Sequence, residues 1–134
     1  MDLYIDCDDT AILWLGDDLR EVEGPNPYGA GRDMWRPNYG LLALVWEART
    51  HFDRVFLWSG GGTMYARQWA RWVAPWVDDA FVKDPRLVTP DDLCIDDMPL
   101  KVAGDLVTPI GFELRFEEVF THHSPLGWTR RPVA

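Results

Sequence analysis

Residues 3–12 read LYIDCDDTAI. Leu3, Tyr4 and Ile5 make a short apolar run, and Asp6, Asp8 and Asp9 follow it closely. A short apolar run bounded by charge reads as a buried strand reaching the edge of a sheet. A solvated strand end would give the same letters. Whether these acids form a site depends on what the rest of the chain brings to the same edge.

Outward from this stretch the pattern recurs. Residues 55–58 (VFLW) are a second apolar run, ending in Ser59-Gly60-Gly61-Gly62. Residues 80–82 are a third, followed by Lys83, and residues 93–95 a fourth, followed by Asp96-Asp97. Residues 106–110 are a weaker fifth, where Pro109 suits an edge strand. Pro37 is suited to opening a helix, and Leu41, Leu42, Leu44, Val45 and Ala48 follow at helical spacing. A second helix is predicted from Thr63, with Tyr65, Trp69, Trp72, Val73 and Trp76 on one face. Short apolar strands alternating with helices imply an α/β fold whose parallel sheet is covered on both faces. Ligands of such sheets bind beyond the carboxyl ends of the strands. Asp6, Ser59, Lys83 and Asp96-Asp97 all stand at or just past those ends.

The chain has 134 residues, the size of one domain, and 47% of them are hydrophobic, enough for a sizeable core. No apolar run approaches the length of a membrane span, and the first residues lack the pattern of a secretory signal. Two cysteines, Cys7 and Cys94, do not make a disulfide framework. Both are read as small buried residues, and the expected compartment is reducing and cytoplasmic. The formal charge of −9 disfavours non-specific binding of nucleic acid. No membrane partner is expected.

If the strands are neighbours, Asp6, Asp8, Asp96 and Asp97 converge, and their repulsion calls for a cation. Mg²⁺ takes oxygen ligands and commonly binds carboxylates together with a substrate phosphate. Ser59 and the Gly60 N–H offer donors to an anion, ahead of a helix N-terminus. Lys83 adds positive charge. Carboxylate, cation, anion donors and lysine together describe phosphoryl transfer through an aspartyl-phosphate.

These motifs, YIDCDDT, VFLWS, Lys83 and LCIDD, resemble in order and spacing the four motifs of the haloacid dehalogenase (HAD) superfamily of phosphohydrolases. The likeness runs from residue 3 to about 110. It implies a Rossmann-like three-layer sandwich with a mainly parallel five-stranded sheet, forming one domain over residues 1–134. It implies Asp6 as nucleophile and Asp8 as the acid that protonates the leaving oxygen and then activates water. Ser59, Gly60 and Lys83 would bind the phosphoryl group. Mg²⁺ would be held by the Asp6 carboxylate, the Asp8 backbone carbonyl and the acidic pair, with Asp97 in direct contact and Asp96 in support. The family often carries a cap domain after its first motif. Here residues 11–37 are too few for a cap domain and enough only for a flap. Residues 113–134 form a C-terminal tail. An open site of this kind admits a phosphorylated small molecule, a nucleic-acid end or a protein. The stretch from Arg36-Pro37 through WSGGG to Tyr65-Ala66 also resembles the carboxyl-terminal-domain-type phosphatases. The family often has Gly where this chain has Asp9, and the resemblance gives Asp9 no role.

Two other readings stand beside it. One is a phosphate-binding receiver-like signalling domain, which would need an acceptor Asp where the second apolar run ends in Ser59. The other is a HAD fold that binds without turnover. His122-His123 and the arginines at 67, 71, 86, 130 and 131 are read as solvated charges.

Overall fold

The computed structural model describes residues 1–16, 24–25, 34–98, 100–107, 120–121 and 129–130. His122, His123, Arg131 and most of the tail at 113–134 lie outside them, as does Pro109. The first motif builds β1 (Asp2–Asp6), followed by β2 (Ile12–Gly16), β3 (Gly24–Pro25) and β4 (Met34–Pro37). Helix α1 (Tyr39–Ala48), β5 (Arg54–Ser59), α2 (Thr63–Val73), β6 (Asp79–Val82), β7 (Leu93–Ile95) and β8 (Asp105–Val107) complete the main body. A short antiparallel pair, β9 (Phe120–Thr121) and β10 (Thr129–Arg130), follows.

The main sheet is parallel, in the order β6-β5-β1-β7-β8. The chain therefore winds outward from β1 to one edge through β5 and β6, then returns to the other side of β1 for β7 and β8. The winding reverses between β1 and β7. At such a switch point the two connections leave in opposite directions and open a crevice beyond the strand ends. β8 stands at an edge, as the weak fifth run suggests.

Alternation along the strands sorts the side chains onto two faces. Leu3, Ile5, Val55, Leu57, Ala80, Leu93 and Ile95 share one core with residues of both helices. Fully burying a side chain such as Leu57 or Ile95 contributes about 2 kcal/mol. Tyr4, Phe56, Trp58, Cys94 and Leu106 form a second core with Val88, and Phe81, Leu100 and Val102 pack against it. Neither helix contributes to this second core. Both faces are thus covered, as expected, but among the described residues the helices lie on one face and Val88, Leu100 and Val102 pack on the other. The links after β6 and β7 are short, and a single 3-10 turn at Pro85–Leu87 stands where a crossover helix would be.

Helix α1 buries Leu41, Leu42, Leu44, Val45 and Ala48, the residues its spacing predicts. Its start differs: Pro37 closes β4, and Asn38 caps the helix by accepting a hydrogen bond from the Leu41 N–H at 3.4 Å. Helix α2 buries Ala66, Trp69 and Ala70. Trp72 is 42% exposed and Trp76 lies past the helix end, so the predicted five-residue face is narrower than expected. The small Ala66 and Ala70 let the helix lie close to the sheet, and Trp72 falls on the flank of that stripe.

The flap region begins and ends as an antiparallel sheet, ordered β2-β4-β3. Trp14 and Trp35, opposite each other on β2 and β4, both set their rings edge-on to Trp69, at 5.8 and 4.8 Å. Among the described residues, the flap strands β2 and β4 are therefore packed onto α2. Cys7 and Cys94 are buried free thiols, as read from the sequence, although Cys7 sits one residue beyond β1. Among the described residues no helix is long and apolar enough to cross a membrane.

Candidate active site

Register alone carries four polar groups to one edge. Asp6 pairs with Trp58, so Ser59 ends the neighbouring strand one step further on. Ser59 in turn pairs with Val82, which places Lys83 next. Ile5 pairs with Ile95, which places Asp96 beside Asp6. Parity adds a second constraint. Asp6, Lys83 and Asp96 follow Tyr4, Phe81 and Cys94 by two residues each, so they fall on the face that carries no helix.

The Lys83 ammonium joins two of the carboxylates, donating to Asp6 Oδ1 at 2.9 Å and to Asp96 Oδ2 at 2.8 Å. Its backbone N–H donates to the Ser59 carbonyl at 2.9 Å. Asp6 and Asp96 are buried, at 6% and 2% exposure. Asp97 is half-buried, and oxygens of Asp6, Asp96 and Asp97 lie within 4.8 Å of one another. These three carboxylates face one ammonium, leaving two negative charges that a single divalent cation would cancel. The donor set is all oxygen, which suits Mg²⁺.

The charge imbalance is felt by the groups themselves. Burial, then the neighbouring Asp96 charge, push the Asp6 carboxyl up to about 7, against the opposing pull of Lys83. Asp97 is raised as well, first by burial and then by its hydrogen bond with Asp96. Burial pulls Lys83 down, but its contacts with Asp96 and Asp6 outweigh this and hold it above the ordinary lysine value. The site thus favours taking up positive charge, as protons or as a metal ion.

The turn after β1 is set by backbone hydrogen bonds from Ala11 N–H to the Asp6 carbonyl and from Thr10 and Ile12 N–H to the Cys7 carbonyl. Asp9 takes φ +57°, the left-handed region. Glycine adopts it freely and aspartate more readily than most residues. The Asp9 carboxylate also accepts from the Trp14 N–H at 3.3 Å. Asp9 is a turn residue, in a conformation open to glycine and aspartate.

Four further residues, to which the sequence assigned no role at the site, help to shape it. Thr10 is fully buried and donates from Oγ1 to Asp6 Oδ2 at 3.3 Å. Asn38 donates from Nδ2 to the Thr10 carbonyl at 3.0 Å and from its backbone to the Ala11 carbonyl at 2.8 Å. Tyr65 donates to Asp8 Oδ1 at 2.6 Å, and Trp14 Nε1 donates to the same oxygen at 2.9 Å. Thr10 was legible as the last letter of the first motif. The others depend on contacts between distant segments.

The structure therefore brings Asp6, Lys83, Asp96 and Asp97 together. The Asp8 carboxylate turns instead toward Trp14 and Tyr65, and the three clustered carboxylates do not include it. Ser59 is buried at the end of β5, its Oγ accepting from the Gly61 N–H at 3.0 Å. Gly60 is exposed in the turn that follows. Gly62 takes φ +113° as it enters α2, a conformation that suits glycine. A cleft of about 500 Å³, lined by Tyr4, Arg54, Phe56 and Phe81 among others, opens at the other end of the strands. It holds none of these groups.

Comparison with protein-family models, curated proteins and solved structures returns no match.

Proposed function

We propose that the chain is a Mg²⁺-dependent phosphomonoester hydrolase of HAD type, with a Rossmann-like fold, working through an aspartyl-phosphate. The observation that carries the reading is the Lys83 bridge between Asp6 and Asp96 at the switch point of the sheet. A buried carboxylate held against an ammonium, with two further acids beside it, fits a nucleophile for an anionic phosphorus centre. A solvated strand end would not bury Asp6 and Asp96.

In this mechanism Asp6, Asp96 and Asp97 would hold Mg²⁺, with the Asp8 backbone carbonyl. When bound, the metal neutralises charge shared by the nucleophile and the phosphoryl group. Asp6 attacks phosphorus, and its P–O bond forms as the bond to the leaving oxygen breaks. Asp8 gives that oxygen a proton. Lys83, Ser59 and the Gly60 N–H stabilise the phosphoryl oxygens. Asp8 then takes a proton from water, which attacks phosphorus, releases inorganic phosphate and frees Asp6. Thr10 keeps the Asp6 carboxylate oriented throughout.

The test is turnover of p-nitrophenyl phosphate with Mg²⁺. Asp6→Asn should lower the rate about a thousandfold or more. An inert wild type, or full activity in Asp6→Asn, would refute the mechanism.

A further inference from the structure

Asp8 is held by donors from two separate parts of the fold. The Trp14 indole comes from β2 of the flap and the Tyr65 hydroxyl from the first turns of α2. Both donate to one oxygen, Oδ1, at 2.9 and 2.6 Å. Among the described residues no donor reaches Oδ2. An oxygen accepting two short hydrogen bonds has no room for a proton of its own, because that proton would face two others. While both donors are directed at Oδ1, a protonated Asp8 carries its proton on Oδ2.

The donors are themselves fixed. Tyr65 and Trp14 each pack edge-on to the buried Trp69 ring, at 6.2 and 5.8 Å. Gly61 lies under Tyr65: a Cβ there would come within 3.1 Å of its ring. Flap, glycine loop and helix thus converge on one carboxylate oxygen.

From this geometry we infer that Tyr65 and Trp14 are positioning residues for proton transfer, fixing Asp8 so that Oδ2 delivers the proton to the leaving oxygen. The inference rests on the phosphatase reading. It adds that the packed flap orients the acid by fixed donors, without a closing domain. In the first step the Asp6–phosphorus bond forms, the phosphorus–leaving-oxygen bond breaks, and the proton on Asp8 Oδ2 passes to that oxygen. In the second, water loses a proton to Asp8 Oδ2 as it displaces Asp6 from phosphorus.

Leaving-group dependence tests this, because p-nitrophenolate departs without a proton at neutral pH and an alkoxide does not. The value of kcat/KM reports only steps through formation of the aspartyl-phosphate. For Tyr65→Phe, kcat/KM on β-glycerophosphate should fall about tenfold, a fraction of what general acid catalysis supplies. On p-nitrophenyl phosphate it should change less than about twofold. Trp14→Phe should show the same split, and the double variant a larger one. Thermal unfolding of each variant, with and without Mg²⁺, checks that the fold and metal site persist. Equal losses on both esters, or no loss on either, overturn the inference while the phosphatase reading stands. A wild type that hydrolyses neither ester overturns that reading, and this inference with it.

Discussion

Lys83 is the residue on which the charge balance turns. Its ammonium touches Asp6 and Asp96, and its side chain is only 18% exposed. Replacing it by methionine leaves two buried carboxylates without their partner. The expected cost is about 3 kcal/mol, the lower end for breaking a buried ion pair. Denaturant unfolding of Lys83→Met checks this, and millimolar Mg²⁺ should recover part of the loss by supplying the missing charge. Asp9 shows the opposite case, a charged residue beside the site whose role is conformational. Asp9→Gly should preserve both stability and turnover. Asp9→Val should destabilise by about 1–2 kcal/mol, because a β-branched side chain resists φ +57°. If Asp9→Gly abolishes turnover, its carboxylate acts in the chemistry and the turn assignment is wrong.

At the scale of elements, the first motif is a strand plus the turn that follows it, and that turn is secured from α1. Asn38 caps α1 through Leu41 and holds the turn through Thr10 and Ala11. Asn38→Ala removes the cap and leaves the buried Thr10 carbonyl without this donor. It should lower stability by about 1–2 kcal/mol in denaturant unfolding. Turnover should fall too, since Thr10 orients Asp6. A variant that loses stability without any change in kcat would separate α1 from the site. The helices were legible in the sequence from their apolar spacing. The cap was less so, because Pro37 at a strand end and Pro37 in a first helical turn look alike until pairing with β2 is known.

For the whole molecule, the raised Asp6 and Asp97 carboxyls make a statement about pH. In the folded chain they hold protons at pH values where the unfolded chain has released them. Their contribution to stability therefore falls as pH rises from the ordinary aspartate range toward the raised values. Without metal, this contribution should lower the melting temperature by several degrees between about pH 5 and pH 8. Mg²⁺ binds the deprotonated groups, so it should raise the melting temperature more at pH 8 than at pH 5. An equal effect of Mg²⁺ at both values would mean that the clustered carboxylates are not where it binds.

By itself the sequence determined the two helices, the strands of the main sheet in their order along the chain and the polar residues that end them. These follow from local periodicity, and a strand's last residue needs no distant partner to be recognised. Asp6, Ser59, Lys83 and Asp96 could be named on that basis. Only the tertiary structure decided that the winding reverses between β1 and β7, that both helices join one core, and that Lys83 spans Asp6 and Asp96. It alone turned Asp8 toward Trp14 and Tyr65. Such contacts join residues far apart in the chain, and they depend on register and on which face each side chain takes. No local pattern carries that information.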